Sequence, residues 1–151
     1  MALLQNGVAV NKDMDALNQK LEERLQTGSV ALIIPQGISM LPFIRGGVDR
    51  VMLRKQQQVG VGDVVLVKYG DHMILHRVYA IEGATLVLMG DGNLKGNERV
   101  KREEVLGTAL EVISPDGRSR RLGKAWLWRH TLPLRRYLLK LHRKWNKLMK
   151  K

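Results

Sequence analysis

The chain has 151 residues, a formal net charge of +12 and no cysteine. Its length suits one domain with a sizeable core, and the lack of cysteine excludes disulfides and thiolate metal sites. Apolar runs reach only about six residues, whereas a membrane-spanning helix needs about 20. The first ten residues lack the basic and apolar regions of a secretory signal. We therefore expect a cytoplasmic protein without a transmembrane helix.

Charge is distributed unevenly along the chain. Residues 1–117 contain 13 Lys and Arg against 14 Asp and Glu, whereas residues 118–151 contain 13 Lys and Arg and no acidic residue. A basic segment of this kind favours anionic partners or an anionic surface. We divide the chain into an N-terminal segment with a helix (1–28), a nearly neutral β domain (29–122) and a basic, Trp-rich helical tail (123–151).

Hydrophobic periodicity predicts a helix at 11–26, which we expect to pack against a sheet. Short β-branched runs separated by turn residues follow, and they predict strands at 29–35, 50–54, 63–69, 73–81, 84–89, 105–114 and 118–122. Strands at this spacing predict a mainly β fold, an antiparallel and partly open barrel or sandwich. A single short helix cannot form a helix-turn-helix, so no DNA-reading domain is expected.

The spacing of apolar residues in the tail predicts a basic amphipathic helix from Leu134 onward. Such a helix can lie on an anionic membrane, contact nucleic acid through phosphates, or pack on this domain or a partner. We favour a peripheral contact with the inner membrane surface and disfavour nucleic acid. The residues expected to make the contact are Trp126, Trp128, Arg135, Arg136, Lys140, Arg143, Lys144 and Trp145.

Ser39 lies within Gly-Ile-Ser-Met-Leu-Pro-Phe-Ile, residues 37–44, on a turn bounded by Gly and Pro after an apolar run. A serine hydroxyl is a poor nucleophile unless a base takes its proton. His76 in Leu-His-Arg-Val and Asp91 in Gly-Asp-Gly-Asn follow downstream and offer a base and a carboxylate. The alternative is a turn serine that bonds its own backbone.

Three short motifs, in their order and spacing along the chain, resemble the S24/S26 superfamily of serine peptidases. This superfamily includes signal peptidase-type and LexA-type enzymes. The motifs are Ser-Met-x-Pro at 39–42, His-Arg-Val at 76–78 and Gly-Asp-x-Asn at 90–93. The resemblance covers about residues 34–112 and implies an all-β catalytic core. It implies Ser39 as nucleophile and His76 as general base, since histidine in place of lysine resembles one branch of the superfamily.

A Ser-His pair is chemically sensible, because an imidazole is already neutral at pH 7 whereas a lysine base must first be desolvated. Asp91 would orient His76, as the third member of a triad does, or would only shape its Gly-rich turn. We weigh these two roles equally. The alternative for His76 is a partly buried histidine bonded to a backbone carbonyl. Arg77 points to the other face and is expected to pair with an acid.

The turn around Ser39 is also expected to supply oxyanion donors and substrate contacts. The resemblance implies a helping hydroxyl at the position of Gly37, so the donors must be backbone N–H groups of the turn that holds Gly37 and Met40. It implies that Phe43 and Ile44 line substrate pockets, although both could simply pack in the core. No cofactor and no metal are expected, because no third ligand lies at a suitable spacing from His72 and His76.

Three functions are consistent with these residues. The first is a serine endopeptidase that trims a peptide or leader bound as an extended strand. The second is a non-catalytic peptide-binding or membrane-tethered module with the same fold. The third is a self-cleaving regulator of the LexA type, which we disfavour because the chain has no Ala-Gly or Cys-Gly bond before the serine. The partner is a peptide or protein substrate, and the oligomeric state is left open.

Overall fold

A computed structural model describes residues 12–70, 72–93, 97–125 and 132–149. Within these residues the chain forms two helices and eight strands. In chain order they are α1 (Lys12–Gln26), β1 (Ala31–Ile33), β2 (Arg50–Arg54), β3 (Val64–Tyr69), β4 (His72–Glu82), β5 (Thr85–Met89), β6 (Glu98–Lys101), β7 (Val105–Ile113), β8 (Ser119–Arg121) and α2 (Leu132–Met149). A single 3-10 turn, Arg102–Glu104, joins β6 to β7.

The strands form one open antiparallel sheet in the order β1-β2-β7-β3-β4-β5-β6, with β8 added beside β7. β7 joins the two halves of the sheet. Its first residues pair with β3, and its last residues pair with β2 and β8. The prediction of a mainly β, antiparallel fold with a short N-terminal helix and a C-terminal helix is therefore confirmed.

Two apolar clusters cover the central strands, and β3 contributes to both. Residues 64–67 of β3 are all buried because alternate side chains point to opposite faces. Leu66 belongs to the first cluster and Val65 and Val67 belong to the second. A strand in the middle of a sheet covered on both faces reads as a continuous apolar run, as this one does.

Helix α1 packs into the first cluster, as its periodicity predicts. Leu21 and Leu25 are buried there among residues of the sheet, and burial of each leucine stabilises the fold by about 1.5–3 kcal/mol. Gly107 of β7 makes room for the helix, since a Cβ at this position would lie 3.3 Å from both methyl carbons of Leu25. The helix and the sheet thus share one core.

The observed elements lie where the sequence places them, with one exception. Strand β6 has no counterpart among the predicted strands, because Val100 is its only apolar residue and no alternation can be read from Glu-Arg-Val-Lys. This strand pairs with β5 from Leu88↔Glu98 to Thr85↔Lys101. Neither of the helices described in the structure combines the length and apolarity needed to cross a membrane.

Candidate active site

Ser39 lies at the start of a single helical turn that follows β1. The N–H groups of Phe43 and Ile44 both donate to the carbonyl of Met40 at 3.0 Å. Gly37, with φ of +86°, lets the chain reverse before the serine, a conformation that glycine adopts without strain. The Gly47 N–H donates to Pro35 O at 2.6 Å and closes the loop at its base.

Asp49 braces the far end of this loop. Its buried carboxylate accepts hydrogen bonds from the Arg45 backbone N–H and from Arg45 Nη2, each at 2.8 Å. Burial by itself raises the pKa of Asp49, but the hydrogen bonds and positive charge of Arg45 outweigh it and hold this pKa below its ordinary value. The Ser39 loop therefore ends in an ionised, well-bonded carboxylate.

His76 lies on β4 and is hydrogen-bonded to a carboxylate from β6. Its Nδ1 is 2.9 Å from Glu98 Oε2, with only 6% of the histidine exposed. The other ring nitrogen faces the Gly90 loop, because a Cβ at Gly90 would lie 3.1 Å from His76 Nε2 and 2.4 Å from Ser39 O. The imidazole is thus oriented by Glu98 at one nitrogen and directed towards the Ser39 turn at the other.

The role proposed for Asp91 is corrected by this geometry. Both oxygens of Asp91 accept hydrogen bonds from Arg77, from Nε to Oδ1 at 2.8 Å and from Nη2 to Oδ2 at 2.8 Å. Neighbouring residues of a strand point to opposite faces, so Arg77 draws Asp91 to the face away from the imidazole. The carboxylate that orients His76 is Glu98, and Asp91 has the structural role.

The fully buried Arg77 side chain is the centre of a polar network. Besides Asp91, its Nη1 donates to the carbonyls of Gly62 at 2.8 Å and Gly123 at 2.7 Å. Its guanidinium carbon lies 5.2 Å from the centre of the Phe43 ring, within the range of a cation–π contact. The expectation that Arg77 pairs with an acid is confirmed. The network ties β4 to the Asp91 turn, to the start of β3 and to the beginning of the tail.

A cavity of about 260 Å³ connects the serine and the histidine. Its lining consists of Gln36, Ser39, Met73, Ile74, Leu75, His76, Asn93 and Glu98. Residues 73–76 of β4 pair with β3 on one side, whereas pairing with β5 begins only at Arg77↔Met89. No described strand occupies the other side of residues 73–76, so the cavity opens onto a free strand edge.

No hydrogen bond joins the Ser39 hydroxyl to His76. Among the described residues, the only hydrogen bond of Ser39 is that of its carbonyl, which accepts from the Gly92 N–H at 2.8 Å. Catalytic hydrogen bonds are commonly long before substrate binds. Gly90 and Gly92 hold this turn close, since a Cβ at Gly92 would lie 2.3 Å from Ile38 O.

The remaining predicted residues of the turn have mixed positions. Met40 and Ile44 are buried in the first apolar cluster, and both line a small cavity of about 10 Å³ beside Ser39. Phe43 packs against that cluster and under Arg77 and lines neither of these two cavities, and its substrate contact stays a prediction. The described residues contain no group of three His, Asp or Glu suited to a metal ion.

The predicted contact residues of the tail are described only in part. Trp126 and Trp128 lie outside the described residues, and Arg135 and Arg136 lie in α2 but their side chains are not described. Lys140, Lys144 and Trp145 are exposed on α2. Arg143 is also exposed, and its Nη2 donates to Gly92 O at 3.2 Å. This bond brings α2 against the same loop that holds the Ser39 turn.

Comparison with known proteins gives no assignment. No protein-family model matches this chain, and no curated protein matches it. The function must therefore be argued from the residues and their geometry.

Proposed function

We propose that the protein is a serine endopeptidase of the S24/S26 type in which Ser39 is the nucleophile, His76 the general base and Glu98 the residue that orients His76. The observation that carries the proposal is the 2.9 Å bond between His76 Nδ1 and Glu98 in a cavity that Ser39 also lines. A base held by a carboxylate beside a hydroxyl is the arrangement that activates a serine. The order of the three sequence motifs and the open antiparallel sheet support the family assignment.

The substrate in this proposal is a peptide that binds as an extended strand along the free edge of β4, residues 73–76. Addition of a strand to an exposed edge satisfies the backbone of both chains and leaves alternate side chains to be read by pockets. The cavity beside Ser39, lined by Met40 and Ile44, has room for about one water molecule, so in this proposal only the smallest side chains fit next to the scissile bond.

Catalysis then follows a two-step acyl transfer. Ser39 Oγ attacks the scissile carbonyl carbon while its proton passes to His76 Nε2, and Glu98 stabilises the imidazolium through Nδ1–H. The Ser39 N–H has no protein partner among the described residues, and in this proposal it donates to the oxyanion. The imidazolium protonates the leaving amine, and water, deprotonated by the same imidazole, hydrolyses the acyl-enzyme.

A non-catalytic peptide-binding module is the second candidate. It is favoured by one observation, the absence of a hydrogen bond between the Ser39 hydroxyl and His76 in the described structure. Such a module would use the same strand edge and cavity but would leave the peptide intact.

The test uses a complex library of unstructured peptides, with cleavage read by mass spectrometry. The full chain should produce new termini at a recurring motif, and Ser39→Ala should lower the rate at least about 10³-fold because the nucleophile is lost. Ser119→Ala is the matched control, since Ser119 is an exposed residue of β8, and it should cleave like the unchanged chain. Cleavage that persists in Ser39→Ala would contradict the proposal. Peptide binding without cleavage, equal in both proteins, would establish the binding module.

A further inference from the structure

Helix α2 presents its apolar side chains to solvent. Six large apolar residues of this helix are each at least 42% exposed. They are Tyr137, Leu138, Leu141, Trp145, Leu148 and Met149, and we call them the outer apolar face. At about 100° per residue they occupy one side of the helix. An amphipathic helix normally buries this side against its own domain, so its exposure calls for a partner.

The opposite side of α2 is the one that contacts the domain. Leu139 is only 3% exposed, and Arg143, one turn further along, donates to Gly92 O at 3.2 Å. Residues four apart lie on the same helix side, so Leu139 and Arg143 form the inner contact. The helix is therefore held with its outer apolar face directed away from the sheet.

The charge around this face identifies the partner. Residues 118–151 carry 13 Lys and Arg and no acid, and Lys140, Lys144 and Lys147 on α2 are exposed. A second copy of the chain would bring two such basic segments together, which like-charge repulsion opposes. Nucleic acid would satisfy the charge but would leave the apolar residues in water. An anionic lipid surface satisfies both, because acyl chains receive the apolar face and headgroups receive the lysines.

We propose that the outer apolar face of α2 inserts into the interface of an anionic membrane and holds the Ser39 turn at the membrane surface. Two hydrogen bonds link helix and turn. Arg143 donates to Gly92 O, and the Gly92 N–H donates to Ser39 O at 2.8 Å. The substrate is then a peptide that emerges from, or lies on, the lipid surface. This last consequence rests on the proposed peptidase function, whereas the lipid contact does not.

The test is co-sedimentation of the full chain with vesicles of phosphatidylcholine alone or of phosphatidylcholine and phosphatidylglycerol in equal amounts. We expect binding to the anionic vesicles, weakened by added salt. Leu141→Gln/Leu148→Gln should weaken it about tenfold or more, since two apolar side chains leave the lipid. Asn146→Gln is the matched control, because it introduces the same side chain at an exposed polar position of α2, and it should bind unchanged.

Tryptophan fluorescence provides a second readout. In a Trp126→Phe/Trp128→Phe background the emission reports Trp145 alone, and it should shift to the blue when anionic vesicles are added. Ser39→Ala should bind vesicles like the unchanged chain, because lipid contact needs no reacting serine. Failure of the lipid contact is thereby separated from failure of the peptidase.

Three results would overturn the proposal. The first is no binding to anionic vesicles, or binding that Leu141→Gln/Leu148→Gln leaves intact. The second is tight binding to a nucleic acid duplex with no vesicle binding, which would assign the basic residues to phosphates. The third is self-association in sedimentation that the double substitution abolishes, which would assign the outer apolar face to a second copy.

Discussion

Two neighbouring residues of β4 each hold a carboxylate, on opposite faces of the sheet. His76 bonds Glu98 beside the cavity, and the Glu98 side chain is 20% exposed. Arg77 bonds Asp91 with both side chains fully buried. A guanidinium stays charged at any ordinary pH and fits a carboxylate with two parallel bonds, whereas an imidazole can take up and release a proton near neutrality.

The difference separates a structural pair from a chemical one. The Arg77 guanidinium donates to four acceptor atoms, the two carboxylate oxygens of Asp91 and the carbonyls of Gly62 and Gly123, and both side chains of the Arg77–Asp91 pair are closed to solvent. The His76 pair leaves one ring nitrogen directed to the Ser39 turn. His76 and Arg77 are neighbours in sequence, so the sequence alone does not show that they differ in this way. Side chains alternate along a strand, and this alternation places the two residues on opposite faces of the sheet.

Breaking the buried pair should have the largest effect. Arg77→Met removes the guanidinium and leaves the Asp91 carboxylate buried without its charge partner, so we expect a loss of about 3–5 kcal/mol in the free energy of unfolding. Urea denaturation measures it. Arg77→Met/Asp91→Leu should be less destabilised than Arg77→Met alone, because no charge stays buried. A loss below about 1 kcal/mol for Arg77→Met would show that the network is not structural.

Altering the second pair should affect activity and leave stability nearly unchanged. In Glu98→Gln the amide can donate to Nδ1 and so favours the tautomer with the proton on Nε2, which cannot accept the serine proton. Assuming the proposed peptidase, kcat/KM should fall at least about 100-fold. The free energy of unfolding should change by no more than about 0.5 kcal/mol. Peptide cleavage and urea denaturation of the same preparations measure the two quantities.

Strand β6 supplies the control for this substitution. Arg99 follows Glu98 and pairs with Glu82, and both side chains are more than half exposed. Arg99→Gln should leave both cleavage and stability unchanged, since exposed ion pairs contribute about 0–1 kcal/mol. Equal losses of activity in Arg99→Gln and Glu98→Gln would assign the effect to the strand and not to the carboxylate.

Asp49 sharpens the comparison as a buried carboxylate whose partner, Arg45, is half exposed. Because the pKa of Asp49 is lowered in the folded chain, its ionised form stabilises the fold above the unfolded pKa of about 3.9. This contribution disappears as the pH falls through the lower folded pKa. Asp49→Asn should therefore cost about 1–3 kcal/mol at pH 7, and the difference should shrink in acid. Unfolding measured from pH 7 to pH 3 tests it, and a constant difference would contradict it.

Much of the fold could be read from the sequence because its strands follow strong apolar patterns. The apolar runs that form β3, β4 and β7 each contribute buried residues to both clusters, and the Leu repeat of α1 marks the face that packs. β6 escaped prediction because pairing with β5, rather than apolar content, makes it a strand.

The site was predicted in part for the same reason. Ser39 and His76 occur in recognisable motifs, and the structure brings both to one cavity. Glu98 could not be assigned, because it lies in the unpredicted strand and its neighbours Asn97 and Arg99 are polar residues without a pattern. Asp91 was chosen as the partner of His76 because it is the carboxylate within a recognised motif. It contacts Arg77 because of the face of the sheet that each side chain takes, which the motif does not show. Pairing between strands, not distance along the chain, selects the partner.

The hydrogen bond from Arg77 Nη1 to Gly123 O determines where this domain could be cut for grafting. A fragment that stops at residue 122 would leave a buried donor without this acceptor, at a cost of about 1–3 kcal/mol. Lys124 adds a second tie, because its Cβ lies 2.6 Å from where a Gly62 Cβ would stand. A transplantable unit should therefore extend through Ala125, so that the residues that contact Arg77 and Gly62 stay attached to the sheet.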